Sequence, residues 1–268
     1  MISPLASIHP AVQMGNNVTI EPFAVIHDKV TIGDDAHIMS HAVIMPFTNI
    51  GKGCKIFQSS VIGGIPQDLK FRGEETTTEI GDGTTIREFV TVNRGTKDRW
   101  KTVIGANCLL MAYAHVAHDC AIGNSVILAN GVQLAGHVEI GDYAILGGLA
   151  GAHQFVRIGG HTYIAGHTVI RKDVPPYVKA AREPMSYMGL NIVGLQRRGF
   201  AQDGIDTLSR IYHLLFVGGH STTKAISMIS EKIPDGDLKT EILQFVTGSK
   251  IGIIKRYSKN GVDEDQAF

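Results

Sequence analysis

The chain has 268 residues, 44% of them hydrophobic, and its 25 basic residues balance 25 acidic ones. This is enough apolar material for a buried core, and the balanced charge excludes a mainly electrostatic partner such as nucleic acid or an anionic membrane surface. The sequence shows no signal-peptide pattern after Met1 and no run of about 18 apolar residues. We therefore expect a cytoplasmic protein without a transmembrane segment.

A six-residue hydrophobic period runs from Ile8 to Ile170. Of its 28 positions, 23 are Ile, Val or Leu, and Met14 and Ala152 add two more. Only Asp68, Glu74 and Asp98 break the pattern. Neither an amphipathic helix nor a hairpin meander keeps such a phase. The period predicts a mainly β hexapeptide-repeat solenoid, in which short strands stack coil upon coil.

A second, smaller position follows each aliphatic residue by four, as Cys108 follows Ile104. All three cysteines, Cys54, Cys108 and Cys120, occupy this inward position. Their placement favours buried thiols over a disulfide or zinc ligands, and no Cys-x-x-Cys pair is present.

The three breaks in the period mark two excursions, at about residues 64–79 and 95–102. Because the phase recovers after each one, we interpret them as loops of a continuing solenoid. Long excursions from a rigid scaffold are frequent sites of function.

The hexads end at Val174–Tyr177, where two prolines remove ladder donors. Apolar residues then follow helical spacing, and glycine and proline breaks separate three or four short segments. We predict a β-helical domain over residues 1–176 and a C-terminal connector and helical domain over residues 177–268.

If three hexads make one triangular coil, residues 18 apart stack on one another. Gly136 then lies above His118, and Gln154 lies above Gly136. One corner therefore gathers His115, His118, Asp119, Gly136, His137, His153 and Gln154. The stability of a solenoid does not require such a polar cluster.

The residue types at this corner suit general-base chemistry. A carboxylate beside His118 can orient the ring and stabilise the imidazolium, and the N–H of Gly136 can face a developing oxyanion. Ser125 lies at a distant corner and Cys120 points inward, so no covalent nucleophile accompanies the histidine. This favours direct attack by a substrate hydroxyl.

Two other classes of function remain open from the residues alone. In a zinc site, as in a hydratase, His115, His118 and either His137 or His153 would be the ligands and water would occupy the fourth position. Against it, His115 and His118 lie on opposite sides of an inward residue, so we expect no metal. A non-catalytic scaffold predicts that His118→Ala changes no property.

The motifs closely resemble a known family over nearly the whole chain. They are Gln67-Asp68-Leu69-Lys70, Arg94-Gly95-Thr96, His115-Val116-Ala117-His118-Asp119, Gly136-His137, His153-Gln154, Asp173-Val174-Pro175-Pro176-Tyr177 and Asn191 to Phe200 with Arg197-Arg198. In this order they are similar to the UDP-N-acetylglucosamine O-acyltransferases of lipid A (lipopolysaccharide) biosynthesis, members of the hexapeptide-repeat acyltransferases.

The resemblance implies a left-handed parallel β-helix with a C-terminal α-helical region. It implies a homotrimer with active sites in clefts between neighbouring solenoids. The reaction would move an (R)-3-hydroxyacyl chain from acyl carrier protein to the 3-hydroxyl of UDP-N-acetylglucosamine, without a metal or redox cofactor.

The resemblance also assigns roles. His118 matches the general base, Asp119 its support, and Gly136 the oxyanion donor. Positions that match substrate contacts are Asp68, Lys70, His115, His137, His153, Gln154, Asn191, Arg197 and Arg198. Gly166 matches the position that sets acyl-chain length, and its small size predicts a long chain. The loop that carries Asp68 would close the cleft of a neighbouring subunit.

Two features bear on the choice within the pathway. Val193 and Gln196 stand where the family often has charged or polar residues, so nucleoside contacts can differ in detail. The N-acyltransferase of the same pathway also uses a β-helix and a histidine, but it has an additional N-terminal uridine-binding domain. Since the hexads here start at Ile8, we prefer the O-acyltransferase, although the acceptor group, hydroxyl or amino, is not encoded in a recognisable motif.

Overall fold

The structure is a computed structural model and describes residues 1–256; the last twelve residues of the predicted C-terminal domain lie outside this range. Three parallel sheets form the sides of a triangular solenoid. The first sheet contains Ser7–Ile8, Val25–Ile26, Val43–Ile44, Val61–Gly64, Thr91–Asn93, His115–Val116, Gln133–Leu134, Gly151–Ala152 and Val169–Ile170. The second contains Gln13–Met14, Thr31–Ile32, Thr48–Ile50, Thr77–Ile80, Lys101–Ile104, Ala121–Ile122, Glu139–Ile140 and Arg157–Ile158. The third begins with Thr19–Ile20, His37–Ile38, Lys55–Ile56, Thr85–Ile86, Leu109–Leu110, Ile127–Leu128, Ile145–Leu146 and Tyr163–Ile164.

The strand registers confirm a coil of three hexads. Val116 pairs with Leu134, 18 residues later, in a parallel ladder. The offset is larger only where the two loops are inserted: Val61 pairs with Thr91, and Thr91 pairs with His115. A strand of two residues is not stable alone, so the stacking of equivalent strands at about 4.8 Å stabilises the array.

The inward positions of the hexads form one continuous core. Their aliphatic residues, such as Ile44, Ile86 and Leu128, are fully buried. The three cysteines are buried and free, as their position in the hexad predicted.

Each coil has three corners, which we number by the sheets they join. The first corner leads from the first sheet to the second, the second corner from the second to the third, and the third corner back to the first. At most corners one residue adopts a left-handed conformation, for example Asp119, Tyr143 and Leu149 with φ near +60°. This backbone turn directs the chain from one sheet to the next, and three such turns bring it back beside the equivalent strand of the neighbouring coil.

The stack continues past the two prolines at which we predicted its end. Val178–Ala181 pairs in parallel with Tyr163–Ile164, and the antiparallel strand Ser186–Leu190 and then Lys255–Arg256 extend the third sheet. The prolines cause no break because they lie at a corner, where no ladder N–H is required. The division of the chain at residue 176 therefore stays a prediction.

Four α-helices follow, as the helical spacing predicted: α1 (Ile192–Arg197), α2 (Gln202–Tyr212), α3 (Thr222–Lys232) and α4 (Asp237–Thr247). A π-helical turn, His213–Val217, extends α2. Tyr212 is fully buried and donates a hydrogen bond to the carbonyl of Pro176 at 2.6 Å, which ties the helices to the end of the solenoid. In residues 1–256, no helix has the length and apolar character needed to cross a membrane.

Candidate active site

Both loops leave the solenoid at the first corner. The first loop connects Val61–Gly64 to Thr77–Ile80, and the second connects Thr91–Asn93 to Lys101–Ile104. His118 and Asp119 lie at this corner in the next coil, directly after His115–Val116. The insertions thus surround the polar residues that the periodicity had brought together.

His118 and Asp119 form a buried pair at the turn of the corner. Nδ1 of His118 lies 2.8 Å from Oδ2 of Asp119. Because an ionised carboxylate can only accept hydrogen bonds, Nδ1 of the neutral ring carries the proton and Nε2 keeps its lone pair. The pair therefore presents a base.

The Asp119 carboxylate accepts three further hydrogen bonds from the second loop. The backbone N–H groups of Thr96 and Arg99 donate to Oδ1 at 2.9 and 3.2 Å, and the Thr96 hydroxyl donates to Oδ2 at 2.6 Å. Burial opposes ionisation of this carboxyl, but the hydrogen bonds from His118 and Thr96 outweigh it and lower its pKa to about 2. Asp119 is therefore a fixed anion at neutral pH.

Gly136 lies against the His118 ring, as the 18-residue stacking predicted. A Cβ at Gly136 would be 2.6 Å from Cε1 and 2.8 Å from Nε2 of His118. No acceptor for the N–H of Gly136 is found among the described residues. An open amide next to the basic nitrogen is the arrangement expected of an oxyanion donor.

His137 lies one coil further on at the same corner, above Asp119. Its Nε2 is 3.8 Å from Oδ2 of Asp119, and its ring stacks on Phe155 with a centroid distance of 4.6 Å. Nδ1 lies 3.2 Å from a carboxylate oxygen of Asp98 on the second loop. Burial lowers the pKa of His137, which keeps the ring mostly neutral.

His115 lies in the strand that precedes this corner, whereas His153 and Gln154 are exposed two coils beyond His118. Nδ1 of His115 is 2.7 Å from the Thr91 hydroxyl, and burial together with the neighbouring His118 lowers its pKa. The structure thus brings His115, His118, Asp119, Gly136 and His137 together, with His153 and Gln154 at the rim.

Asp68 and Lys70 project on the first loop. The Asp68 carboxylate accepts a hydrogen bond from the N–H of Lys70 at 2.9 Å, and Leu69 between them is 96% exposed. Within residues 1–256, neither side chain hydrogen-bonds to His118 or Asp119. Both groups therefore lie at the surface of the chain, away from the His118–Asp119 pair.

Helix α1 packs against the second corner and carries the three predicted nucleotide contacts, Asn191, Arg197 and Arg198, at its two ends. Asn191 is buried and caps α1, and its amide donates to the carbonyl of His161 at 2.9 Å. The Arg198 guanidinium donates to the carbonyl of Tyr143 at 3.1 Å, whereas Arg197 is exposed. Asn191 therefore has a structural role as a helix cap. The resemblance predicted only a substrate contact for this residue.

Gly166 lies at the third corner, and the packing of coils explains its small size. A Cβ at Gly166 would be 2.9 Å from the carbonyl oxygen of Gly148. The predicted site residues therefore occupy all three corners of the triangle.

Sequence reasoning missed the residues that hold Asp119. Thr96 lies in a motif that resembles the family, but its role was not predicted, and Arg99 carried no signal. Their contacts depend on the path of an irregular loop, which no period describes. The buried Asp119 was the one available indication that such donors exist, since a buried carboxylate requires them.

The donor set at the first corner argues against a resident metal ion. His118, Asp119 and His137 place ligand atoms within 4.8 Å of one another. However, the two Asp119 oxygens already accept four hydrogen bonds, which occupies about as many lone-pair positions as a carboxylate has. A metal ion would have to displace them.

Within residues 1–256, neither of the two nucleophiles weighed from the sequence, Cys120 and Ser125, is placed to attack a substrate at this corner. The Cys120 thiol is buried and donates to the carbonyl of Ala135 at 3.2 Å, and burial raises its pKa to about 12. Ser125 lies at the second corner. This chemistry favours direct transfer to a substrate group.

The sequence of this chain is similar to families and proteins of known activity. Residues 173–254 match the family described as Udp N-acetylglucosamine O-acyltransferase, domain 2, and residues 101–136 match the bacterial transferase hexapeptide family. An acyl-[acyl-carrier-protein]–UDP-N-acetylglucosamine O-acyltransferase from Burkholderia orbicola is 42% identical over 199 residues, which cover 72% of this chain and 76% of that protein. A protein of the same name from Thiobacillus denitrificans is 41% identical over 202 residues, 75% of this chain and 78% of its own length.

Solved structures agree over almost the full length. A UDP-N-acetylglucosamine acyltransferase from Bacteroides fragilis is 46% identical with a TM-score of 0.93, covering 95% of this chain and 100% of that one. The enzyme of the same name from Francisella novicida is 36% identical with a TM-score of 0.94, covering 98% and 97%.

Proposed function

Since the chain belongs to the UDP-N-acetylglucosamine O-acyltransferases and folds as a left-handed parallel β-helix with a C-terminal helical region, we propose that it moves an (R)-3-hydroxyacyl chain from acyl carrier protein to the 3-hydroxyl of UDP-N-acetylglucosamine, the first step of lipid A biosynthesis. The observation that carries this proposal is the buried His118–Asp119 pair beside the open amide of Gly136.

The chemical step proceeds without an acyl-enzyme. Nε2 of His118 takes the proton of the sugar hydroxyl as its oxygen attacks the thioester carbonyl. The N–H of Gly136 donates to the resulting oxyanion, which then collapses and expels the thiolate of the carrier arm. The imidazolium returns its proton to that sulfur, and Asp119 stabilises the imidazolium in between.

The substrate contacts require more than one chain. We propose a cytoplasmic homotrimer in which the first corner of one subunit faces the second or third corner of its neighbour. His115, His137, His153 and Gln154 would then line one wall, and the half-buried Asp68 and the exposed Lys70 would close the cleft from the next subunit. The distribution of these residues over three corners supports this arrangement.

The nucleotide would bind near helix α1. Arg197 is exposed and Arg198 is half-buried, and a guanidinium group is well suited to phosphate oxygens. Asn191 would contribute by orienting this segment or by direct contact. Gly166, at the third corner, leaves room for a long acyl chain.

The test is acyl transfer from a panel of 3-hydroxyacyl carrier proteins to UDP-N-acetylglucosamine, with wild type and His118→Ala. We expect product with the wild type, preferentially from long donors, and a loss of about 10² to 10⁴ in rate for the variant. Transfer only to the 3-amino sugar would identify the N-acyltransferase reaction instead. Stoichiometric zinc, lost together with activity on chelation, would contradict base catalysis.

A further inference from the structure

We propose that Thr96, on the second loop, is a positioning residue for this reaction: its two hydrogen bonds fix the Asp119 carboxylate against His118 and set the pH above which His118 is free to act as a base. The inference rests on the proposed function of His118 and extends it to a residue that does not contact the reacting atoms.

Thr96 is the donor in both of its hydrogen bonds to the Asp119 carboxylate. Its N–H donates to Oδ1 at 2.9 Å, and its hydroxyl donates at 2.6 Å to Oδ2, the oxygen that also accepts from His118. The Thr96 oxygen itself accepts from the N–H of Asp98 at 3.2 Å. The hydroxyl has only one proton, and this second contact directs it to Asp119.

The second loop holds Thr96 rigidly. A Cβ at Gly95 would be 2.3 Å from the backbone nitrogen of Lys101, so the two ends of the loop lie in close contact. Arg99 donates through its guanidinium to Glu139 on the second sheet at 2.6 Å. Thr96 is therefore held in place by the scaffold and not by the carboxylate alone.

The hydroxyl affects His118 through charge. The other ionisable groups around the His118–Asp119 pair are His115, His137, Asp98 and Arg99, and every variant keeps them. Each donor to Asp119 compensates part of the negative charge that would otherwise stabilise the imidazolium. With the Thr96 hydroxyl removed, more of that charge acts on His118, and the ring stays protonated to a higher pH. The base would then become available only at more alkaline pH, and its orientation would be less restricted.

A structural role alone makes a different prediction. If the hydroxyl merely stabilised the loop, its loss would lower stability and rate without moving the pH profile. The variants Thr96→Val and Thr96→Ser separate these roles, because both shorten or alter the side chain but only serine keeps the donor. Thr84→Val is the matched control: Thr84 is also buried, and its hydroxyl donates to the carbonyl of Gly105 at 2.8 Å, away from the site.

The experiment measures kcat/KM against pH for wild type and the three variants, with thermal unfolding of each. We expect Thr96→Val to raise the midpoint of the ascending limb by about 0.5 to 1 pH unit and to lose about tenfold in rate above it. Thr96→Ser and Thr84→Val should keep the wild-type midpoint. An unchanged midpoint in Thr96→Val, or an equal shift in Thr96→Ser, would overturn the inference.

A readout without catalysis keeps the inference separate from the proposed function. The midpoint for protonation of the His118 ring, followed by NMR and assigned with His118→Ala, should show the same rise in Thr96→Val. An inactive wild type would refute the proposed reaction. The NMR midpoint would still confirm or refute the positioning role of Thr96.

Discussion

Gly136 lies so close to His118 that a single methyl group would occupy the space of the imidazole. A Cβ there would be 2.6 Å from Cε1 of the ring. We expect Gly136→Ala to displace the ring and to lower kcat about 100-fold, because a base that moves by about 1 Å loses its alignment. The measurement is kcat for the proposed transfer, with circular dichroism to verify the fold.

Gly204→Ala is the control for this substitution. Gly204 lies in helix α2, where a Cβ would make an ordinary contact of 3.6 Å with Leu238. Alanine should leave the rate unchanged there and stabilise the helix by about 0.5 to 1 kcal/mol. Equal activity of the two variants would contradict the steric argument.

Asp119 should make the stability of the protein depend on pH in the acid range. Its folded pKa of about 2 lies below the ordinary 3.8, so its stabilisation is complete above about pH 4 and is lost as the pH falls towards 2. We expect about 2 kcal/mol of the unfolding free energy to disappear in this window. Asp119→Asn should be less stable at pH 7 and should lack this component, which denaturant unfolding at several pH values would detect.

His161 should act in a separate and less acid window. It lies between the rings of Tyr143 and Tyr177, and burial, with the nearby Arg198, lowers its pKa to about 4. Between pH 6.5 and 4 the unfolded chain binds a proton that the folded protein excludes, so stability falls as the pH falls. After allowance for partial exposure, the loss is about 1 to 2 kcal/mol.

The variant His161→Phe tests this dependence. Phenylalanine keeps the ring stack, and the left-handed corner conformation accepts it, since Phe89 and Phe155 adopt the same φ. Urea unfolding at pH 7.5 and pH 5 should show a smaller decrease for the variant than for wild type. The same decrease in both proteins would exclude His161 as the source.

Arg94 should hold the first loop closed. Its guanidinium is 5.1 Å from the ring of Phe47 on the solenoid and 5.4 Å from the ring of Phe71 on the loop. The residue is only 8% exposed, and burial lowers its pKa. Loss of two cation–π contacts, about 1 to 2 kcal/mol together, should favour local opening of the loop.

Trypsin would report that opening. In Arg94→Ala we expect cleavage after Lys70 or Arg72 to accelerate about tenfold. Arg87→Ala is the matched control, because Arg87 lies 4.6 Å from the ring of Phe57 and does not contact the loop. Comparable acceleration in both variants would point to a general loss of stability.

The periodicity was sufficient to predict the scaffold and the core of the site. Gly136 could be placed above His118 because no insertion interrupts the hexads after Ile104. In this region, a separation of 18 residues in the sequence corresponds to one coil of the solenoid. The same counting identified the inward cysteines. A regular repeat is predictable because every coil satisfies the same packing and hydrogen-bond requirements.

The remainder of the site depends on irregular chain segments. Thr96 and Arg99 reach Asp119 through a loop whose path has no period. Asn191 matches a ligand contact of the family, and its role as the cap of helix α1 could not be predicted from that resemblance. The positions of the predicted residues at three different corners were known only from the structure. A sequence motif alone does not tell which corner of the triangle it occupies.

The 18-residue coil gives this molecule a natural unit of length. Equivalent positions in successive coils are separated by about 4.8 Å, so dimensions along the axis change in whole steps of that size. Point substitutions can adjust a binding site within one step. Duplication or deletion of 18 residues would keep the repeat in register, so it is the natural event by which the scaffold itself becomes longer or shorter by one coil.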